Sequence, residues 1–235
     1  GENVVMRVLV PTHAFNLDNL GFAKEDLVKV KKAINKPYGM ILANGPTGSG
    51  KTSTLYTMLR EVNRPEVSIV TIEDPIEYSF EGASQIQVNN QVGLTFANGL
   101  RAVLRQDPNI VMVGEIRDEE TARIAVNAAL TGHLLFSTLH TNDSATTFPR
   151  LMDMGIPPFL IGSTINVAIG QRLVRMICQK CRIPREMTED EIKSVKEILP
   201  PDAIVPSQFF KGKGCEACQG TGYVGRTAIR EVLEV

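Results

Sequence analysis

Two kinds of apolar pattern alternate along most of the chain. In KEDLVKVKKAINKP (24–37), Leu27, Val30 and Ile34 recur at helical spacing and a proline closes the run, which predicts an amphipathic helix. GMILANG (39–45) is instead a short continuous apolar run. It predicts a buried strand entering a glycine-rich turn, with a helix over about residues 50–62. The alternation repeats. VSIVTIED (67–74) reads as a strand, TFANGLRAVLRQDP (95–108) as a helix and NIVMVGEI (109–116) as a strand. DEETARIAVNAAL (118–130) reads as a helix with acids in its first turn, where the helix dipole favours them, and LLFSTLH (134–140) as a strand. Apolar alternation over 4–10 predicts one more strand at the start, and PFLIGSTINVAIGQRLVRMI (158–177) a long helix. Apolar strands alternating with helices imply an α/β fold, a parallel sheet covered by helices.

Beyond residue 177 the character changes. Residues 178–235 hold all four cysteines, several glycines and a polar helix beginning TEDE, which predicts a small second module. The chain starts abruptly on a strand-like GENVVMRVLV and stops at AIREVLEV, as a piece of a longer protein would. With 43% hydrophobic and 22% charged residues and a net charge of −1, the composition is that of a soluble globular protein. The near-neutral balance offers no footprint for a nucleic-acid backbone. No segment has the pattern of a signal peptide, and the longest apolar stretch, 159–170, is too short and too polar to cross a bilayer. A cytoplasmic location is expected.

GPTGSGKT (45–52) fits G-x-x-x-x-G-K-[ST] between a predicted strand and a predicted helix. Its glycines let backbone N–H groups turn inward around a phosphate, Lys51 reaches the β- and γ-phosphates, and the Thr52 hydroxyl takes Mg²⁺. The candidate nucleoside-triphosphate set is therefore Gly45, Pro46, Thr47, Gly48, Ser49, Gly50, Lys51 and Thr52. A carboxylate at the end of a hydrophobic strand should organise the metal, and IVMVGEIRD supplies Glu115. TIEDPIE (71–77) adds Glu73, Asp74 and Glu77 at the end of another predicted strand, carboxylates suited to activating a water. His133 and His140, seven apart, have no nearby third and fourth ligands and make a poor metal site.

The order GPTGSGKT, TIEDPIE, LRQDPNIVMVGEIRD, GHLLFSTLHTND resembles the type II secretion and type IV pilus assembly ATPase family over nearly the whole chain. The resemblance implies a RecA-like P-loop core over 21–177, preceded by the end of an N-terminal domain and linker (1–20). It also implies a cysteine module over 178–225 and a return to the ATPase domain over 226–235. In such a family Gly45–Thr52 is the Walker A loop, Glu73–Glu77 the aspartate box, Val111–Asp118 the Walker B strand and Gly132–Thr141 the histidine box. His140 would then lie by the γ-phosphate, with His133 supporting the strand.

Arginine at the γ-phosphate is expected from Arg7, Arg101, Arg105 or Arg117. Arg7 matches a family position that closes over the nucleotide, and Arg101 and Arg105 lie four apart on one predicted helix face. A solvated surface charge is the competing reading for each. Family membership further implies a hexameric ATP-driven motor at the inner membrane, with a membrane platform protein and a membrane-anchored recruiting protein as partners. A DNA-uptake or conjugation-type motor, or a catalytically weak assembly scaffold, are the alternatives. Asn109 stands where the family often has Asp, away from the proposed chemistry.

Cys178-x-x-Cys181 and Cys215-x-x-Cys218 make two pairs separated by 33 residues, a thiolate set suited to structural Zn²⁺. Disulfides are disfavoured in a cytosolic chain, and a redox C-x-x-C is expected singly. Pilus-assembly and secretion members of the family often carry such a module, whereas retraction ATPases generally lack it.

Overall fold

The computed structural model describes residues 16–199 and 208–235. The strand expected over 4–10, and Arg7 with it, lie outside them. A short 3-10 turn, Leu17–Asn19, precedes helix α1 (Lys24–Ile34), which buries Val30, Ala33 and Ile34. Strand β1 (Gly39–Asn44), α2 (Lys51–Val62), β2 (Ile69–Glu73), β3 (Ala83–Gln87), α3 (Phe96–Val103) and β4 (Ile110–Val113) follow. Then come α4 (Glu119–Leu130), β5 (Leu134–Leu139), α5 (Thr147–Asp153), α6 (Pro158–Thr164) and β6 (Ile165–Ile177). The described chain ends with β7 (Arg182–Arg185), α7 (Glu189–Ile198), β8 (Phe209–Gly212) and β9 (Tyr223–Glu234).

Seven strands form one sheet in the order β3-β2-β4-β5-β1-β6-β9. β2 runs parallel to β3 and β4, β4 to β5, and β1 to both β5 and β6. Every residue of β1, β2, β4 and β5 is buried, as parallel strands covered on both faces require. Alternate residues feed two cores. Met40 and Leu42 join Leu100 of α3, Val126 of α4 and Ile161 of α6, whereas Ile41 and Ala43 join Val30 of α1 with Leu55 and Leu59 of α2. Helix α4 turns Ala122, Ala125, Ala128 and Ala129 inward, and such small side chains let a helix lie close to its neighbours. Asp118 caps it, accepting a 2.8 Å hydrogen bond from the Thr121 N–H. The fold is the predicted parallel-rich α/β class.

The run 158–177 is not the long helix its length predicts. Pro158 opens a helix that ends at Thr164, and Ile165–Ile177 is a strand. Ile165–Gln171 are all buried, with β1 pairing on one side, so their uniform apolar character belongs to an internal strand, and Ile165, Val167 and Ile169 are β-branched. Arg101 and Arg105 do not share a helix face either. α3 ends at Val103, and Asp107, before Pro108, sits in the left-handed region at φ 53°. β3 has no counterpart in the sequence reading, because ASQIQ carries one aliphatic residue larger than alanine.

The chain forms two compact units, one of residues up to Leu173 with Ala228–Val235, the other Val174–Thr227. Within the second unit β7 and β8 pair antiparallel, and α7 starts at a capping box in which Thr188 and Glu191 bond each other's backbone N–H. Arg185 grips Glu191 with two bonds of 2.9 and 2.8 Å. Cys178 and Cys218 are its buried apolar side chains among the described residues.

Candidate functional site

β1 ends at Asn44 and α2 begins at Lys51, with the glycine-rich turn between them. Gly45 at φ 142° and Gly50 at φ 89° hold conformations that L side chains rarely adopt, and Gly50 is the left-handed residue before the helix. Lys51 folds back over this loop, its Nζ donating to the carbonyls of Gly45 (2.7 Å) and Pro46 (3.2 Å). Burial pushes its pKa below the ordinary lysine value, opposed by the charge of Glu115. Thr52 is half-buried on the first turn. The Ser49 hydroxyl is buried without a hydrogen-bond partner. Positive-φ glycines, a lysine over the loop and an orphaned buried hydroxyl fit a bound phosphate chain.

Glu115 lies two residues beyond Val113, the last residue of β4, which β2 and β5 flank. The Gly114 N–H donates to the Ile72 carbonyl (2.8 Å) and the Ile116 N–H to the Thr138 carbonyl (3.0 Å). Ser137 and Thr138 return hydroxyl bonds to the carbonyls of Val113 (2.7 Å) and Gly114 (2.8 Å). The turn that carries Glu115 is thus pinned on both sides. One carboxylate oxygen of Glu115 pairs with Arg117 at 2.5 Å and the other meets His140 Nε2 at 3.2 Å. The bond to Glu115 raises the Arg117 pKa, and the charge of exposed Asp74 adds to the shift. Lys51, Glu115, Arg117 and His140 therefore form one electrostatic group.

Other predicted residues have different partners. Glu73 is buried, its carboxylate accepting from Tyr56 (2.6 Å), Thr71 (2.6 Å) and Gln85 (3.2 Å). Burial, then the bond to Glu73, raises the Tyr56 pKa far above the ordinary tyrosine value. Glu77 is half-buried and its side chain has no hydrogen-bond or ion-pair partner among the described residues. Arg101 is exposed and pairs with Glu120 at 2.6 Å, and Arg105 is exposed. His133 Nδ1 lies 3.1 Å from the Ala128 carbonyl near the end of α4, and its own carbonyl accepts from Gly39. It stands at the opposite end of β5 from His140, roughly 23 Å away at strand rise, so the two cannot share a metal.

Behind the loop lies a group that the sequence reading missed. Gln171, 2% exposed, donates from Nε2 to the Ser49 carbonyl at 2.6 Å. Its Oε1 accepts from Thr54 (2.8 Å) and from Arg230 Nε (2.9 Å). Reading 158–177 as helix hid it, since a polar residue closing a buried strand is the signal that marks it.

The four cysteine sulfurs lie within 4.8 Å of one another, with 3.9 Å between Cys178 and Cys215, 3.9 Å between Cys181 and Cys218 and 3.7 Å between Cys215 and Cys218. A tetrahedron with Zn–S bonds of about 2.3 Å has edges of about 3.8 Å, so the set is compatible with zinc. Burial opposes the Cys218 thiolate, but the N–H groups of Cys215 and Gly222 outweigh it and bring the pKa down to about 6. Burial, together with the neighbouring thiols, pushes Cys181 up to about 11.

A parallel-rich α/β sheet with a phosphate loop after β1 and a pinned glutamate after β4 defines a P-loop nucleotide-binding protein. The chain belongs to the type II/IV secretion system protein family, whose model matches residues 1–235. It is 50% identical over 236 residues to the type II secretion system protein E of Aeromonas hydrophila, covering 100% of this chain and 46% of that protein. It is 49% identical over 234 residues to the type IV pilus assembly ATPase PilB of Myxococcus xanthus, covering 99% of this chain and 41% of that one. A crystal structure of the pilus retraction motor PilT with bound ADP superposes with a TM-score of 0.64 at 36% identity, over 73% of this chain and 52% of that one. The chain thus spans less than half the length of these two curated relatives. Among the described residues, no helix is long and apolar enough to cross a membrane.

Proposed function

We propose that this chain is the ATP-hydrolysing part of a cytoplasmic motor that powers assembly of a type II secretion pseudopilus or a type IV pilus. The observation that carries the reading is the grouping of Lys51, on the phosphate loop, with a Glu115 held between Arg117 and His140. Backbone N–H groups of the 47–50 turn bind the β- and γ-phosphates, and Lys51 meets their charge. Thr52 and Glu115 would hold Mg²⁺, which when bound draws negative charge off the γ-phosphate. Arg117 and His140 fix the two oxygens of Glu115 and so its direction. Glu77 is the carboxylate best suited to take the proton of the attacking water, because its side chain is unengaged whereas that of Glu73 is occupied by three donors.

The four cysteines hold a structural zinc, since four protein thiolates leave no open position for a substrate. In the full-length protein the motor is a homohexamer peripheral to the inner membrane, working on a membrane platform protein and held there by a membrane-anchored recruiter. Exposed Arg105, Arg101 beside its partner Glu120, and Arg7 outside the described residues are assigned to contacts with a neighbouring subunit. The net charge of −1 and the names of the relatives both favour protein transport over DNA.

Hydrolysis and nucleotide binding by Glu115→Gln test the reading. Turnover should fall about a hundredfold or more while nucleotide affinity stays within a few-fold. Parallel loss of binding and turnover would make Glu115 a structural residue and remove the main support.

A further inference from the structure

Gln171 and Arg230 belong to no motif, yet they make a buried polar group against the back of the phosphate loop. The Ser49–Gly50 peptide is planar and trans, so its N–H points opposite to its C=O. The Gln171 amide holds that carbonyl at 2.6 Å, on the outer side of the loop. Holding the carbonyl outward aims the Gly50 N–H inward, the orientation a phosphate-binding nest requires. Gln171 also sets how closely the loop sits against β6. A Cβ on Gly45 would come within 2.3 Å of the Gln171 carbonyl oxygen, and one on Gly50 within 2.8 Å of its Nε2.

A primary amide can turn either end towards its neighbours, and Arg230 removes that freedom. Its Nε, with the Thr54 hydroxyl, donates to Oε1, which leaves Nε2 as the only end able to face Ser49. Arg230 is itself fixed. It donates to the Leu20 carbonyl at 2.5 Å and stacks 4.4 Å from the Phe22 ring centre, on the segment that leads into α1. Burial lowers its pKa to about 10, which leaves it charged at neutral pH.

We infer that Gln171 is a positioning residue that presets the phosphate loop for nucleotide, and that Arg230 locks its orientation and ties the Leu20–Phe22 segment to the loop. The inference rests on the nucleotide-binding reading above. It gives the entry segment a route to the site in which every link is a hydrogen bond or ring contact within one compact unit.

Gln171→Glu separates positioning from packing. It keeps size, keeps an acceptor for Thr54 and Arg230 and adds an ion pair with Arg230. What it loses is the donor to Ser49, where a carboxylate oxygen would face a carbonyl. Binding of a fluorescent ATP analogue, thermal melting and steady-state hydrolysis should be measured on the full chain beside Lys51→Ala. The expected result is about tenfold weaker nucleotide binding, with KM raised more than kcat is lowered and the melting temperature within a few degrees of wild type. Arg230→Met should weaken binding about threefold, and Arg230→Lys should recover part of that by restoring the charge. If Gln171→Glu does not fold, the Arg230 pair decides: wild-type affinity in Arg230→Met overturns the inference. Wild-type affinity in folded Gln171→Glu, beside a Lys51→Ala that no longer binds, overturns the positioning role alone. Wild-type affinity in both removes the nucleotide reading as well.

Discussion

The engagement of Glu73 decides which carboxylate can act as a base, and Tyr56→Phe and Glu73→Gln test it. Tyr56 is fully buried, and its hydroxyl donates to Glu73 at 2.6 Å while Gln85 donates to it at 3.0 Å. Phe fills the same space apart from one oxygen, so no cavity is made. The main loss is the buried hydrogen bond to a carboxylate, about 1.5–3 kcal/mol. Gln85 also loses its bond to the hydroxyl but keeps the Glu73 carboxylate and the Tyr78 carbonyl. For a chain of 235 residues, each kcal/mol moves the melting temperature by about 2–4 °C, so Tyr56→Phe should melt roughly 3–12 °C lower. Nucleotide affinity and turnover, measured well below the transition, should stay within about twofold of wild type, because Glu73 keeps Thr71 and Gln85. Glu73→Gln should likewise lose stability before turnover, since an amide offers one acceptor where three donors converge. Scanning calorimetry and a phosphate-release assay on the same preparations supply both readouts. A Glu73→Gln variant as stable as wild type but unable to hydrolyse ATP would refute the argument and make Glu73 the base.

Lys51→Ala should abolish measurable hydrolysis and weaken ATP binding, as titration with a labelled analogue would record, because the charge over the loop carbonyls of Gly45 and Pro46 is gone. About one zinc per chain should be found by elemental analysis. Zinc sets of this kind contribute on the order of 10 kcal/mol, and the module has little other core, so chelation or Cys215→Ser should expose residues 178–225 to hydrogen exchange while ATP binding persists. A metal-free chain with that module still protected would end the zinc reading.

The strands of the sheet centre were legible because burial on both faces makes them short continuous apolar runs, as in Gly39–Asn44 and Leu134–Leu139. The same property hid β6. Residues 158–177 lack the regular polar alternation of a half-exposed strand, and their length looks like a helix until the β-branched Ile165, Val167 and Ile169 are weighed. β3 was invisible for the opposite reason, since ASQIQ is half-exposed and its place beside β2 is set by pairing. Site residues fixed by local geometry, such as Lys51 after its glycines, could be read directly. Partnerships between distant residues could not: the sequence offers Glu73 and Glu115 as similar strand-end acids. Only the fold gives one to Tyr56 and Gln85 and the other to Arg117 and His140.

The alanine face of α4 has a genetic consequence. Only Ile116, Arg117 and Asp118 separate Glu115 from this helix, so whatever lifts α4 from the sheet also drags on the turn that aims the carboxylate. Ala125 and Ala128 are buried, and a valine or leucine at either would have to push the helix outward. Every reacting group would still be present, but held by a loosened mount whose alignment fails as temperature rises. Conditional alleles selected for loss of nucleotide hydrolysis on warming should therefore map to this helix, at positions outside the phosphate loop.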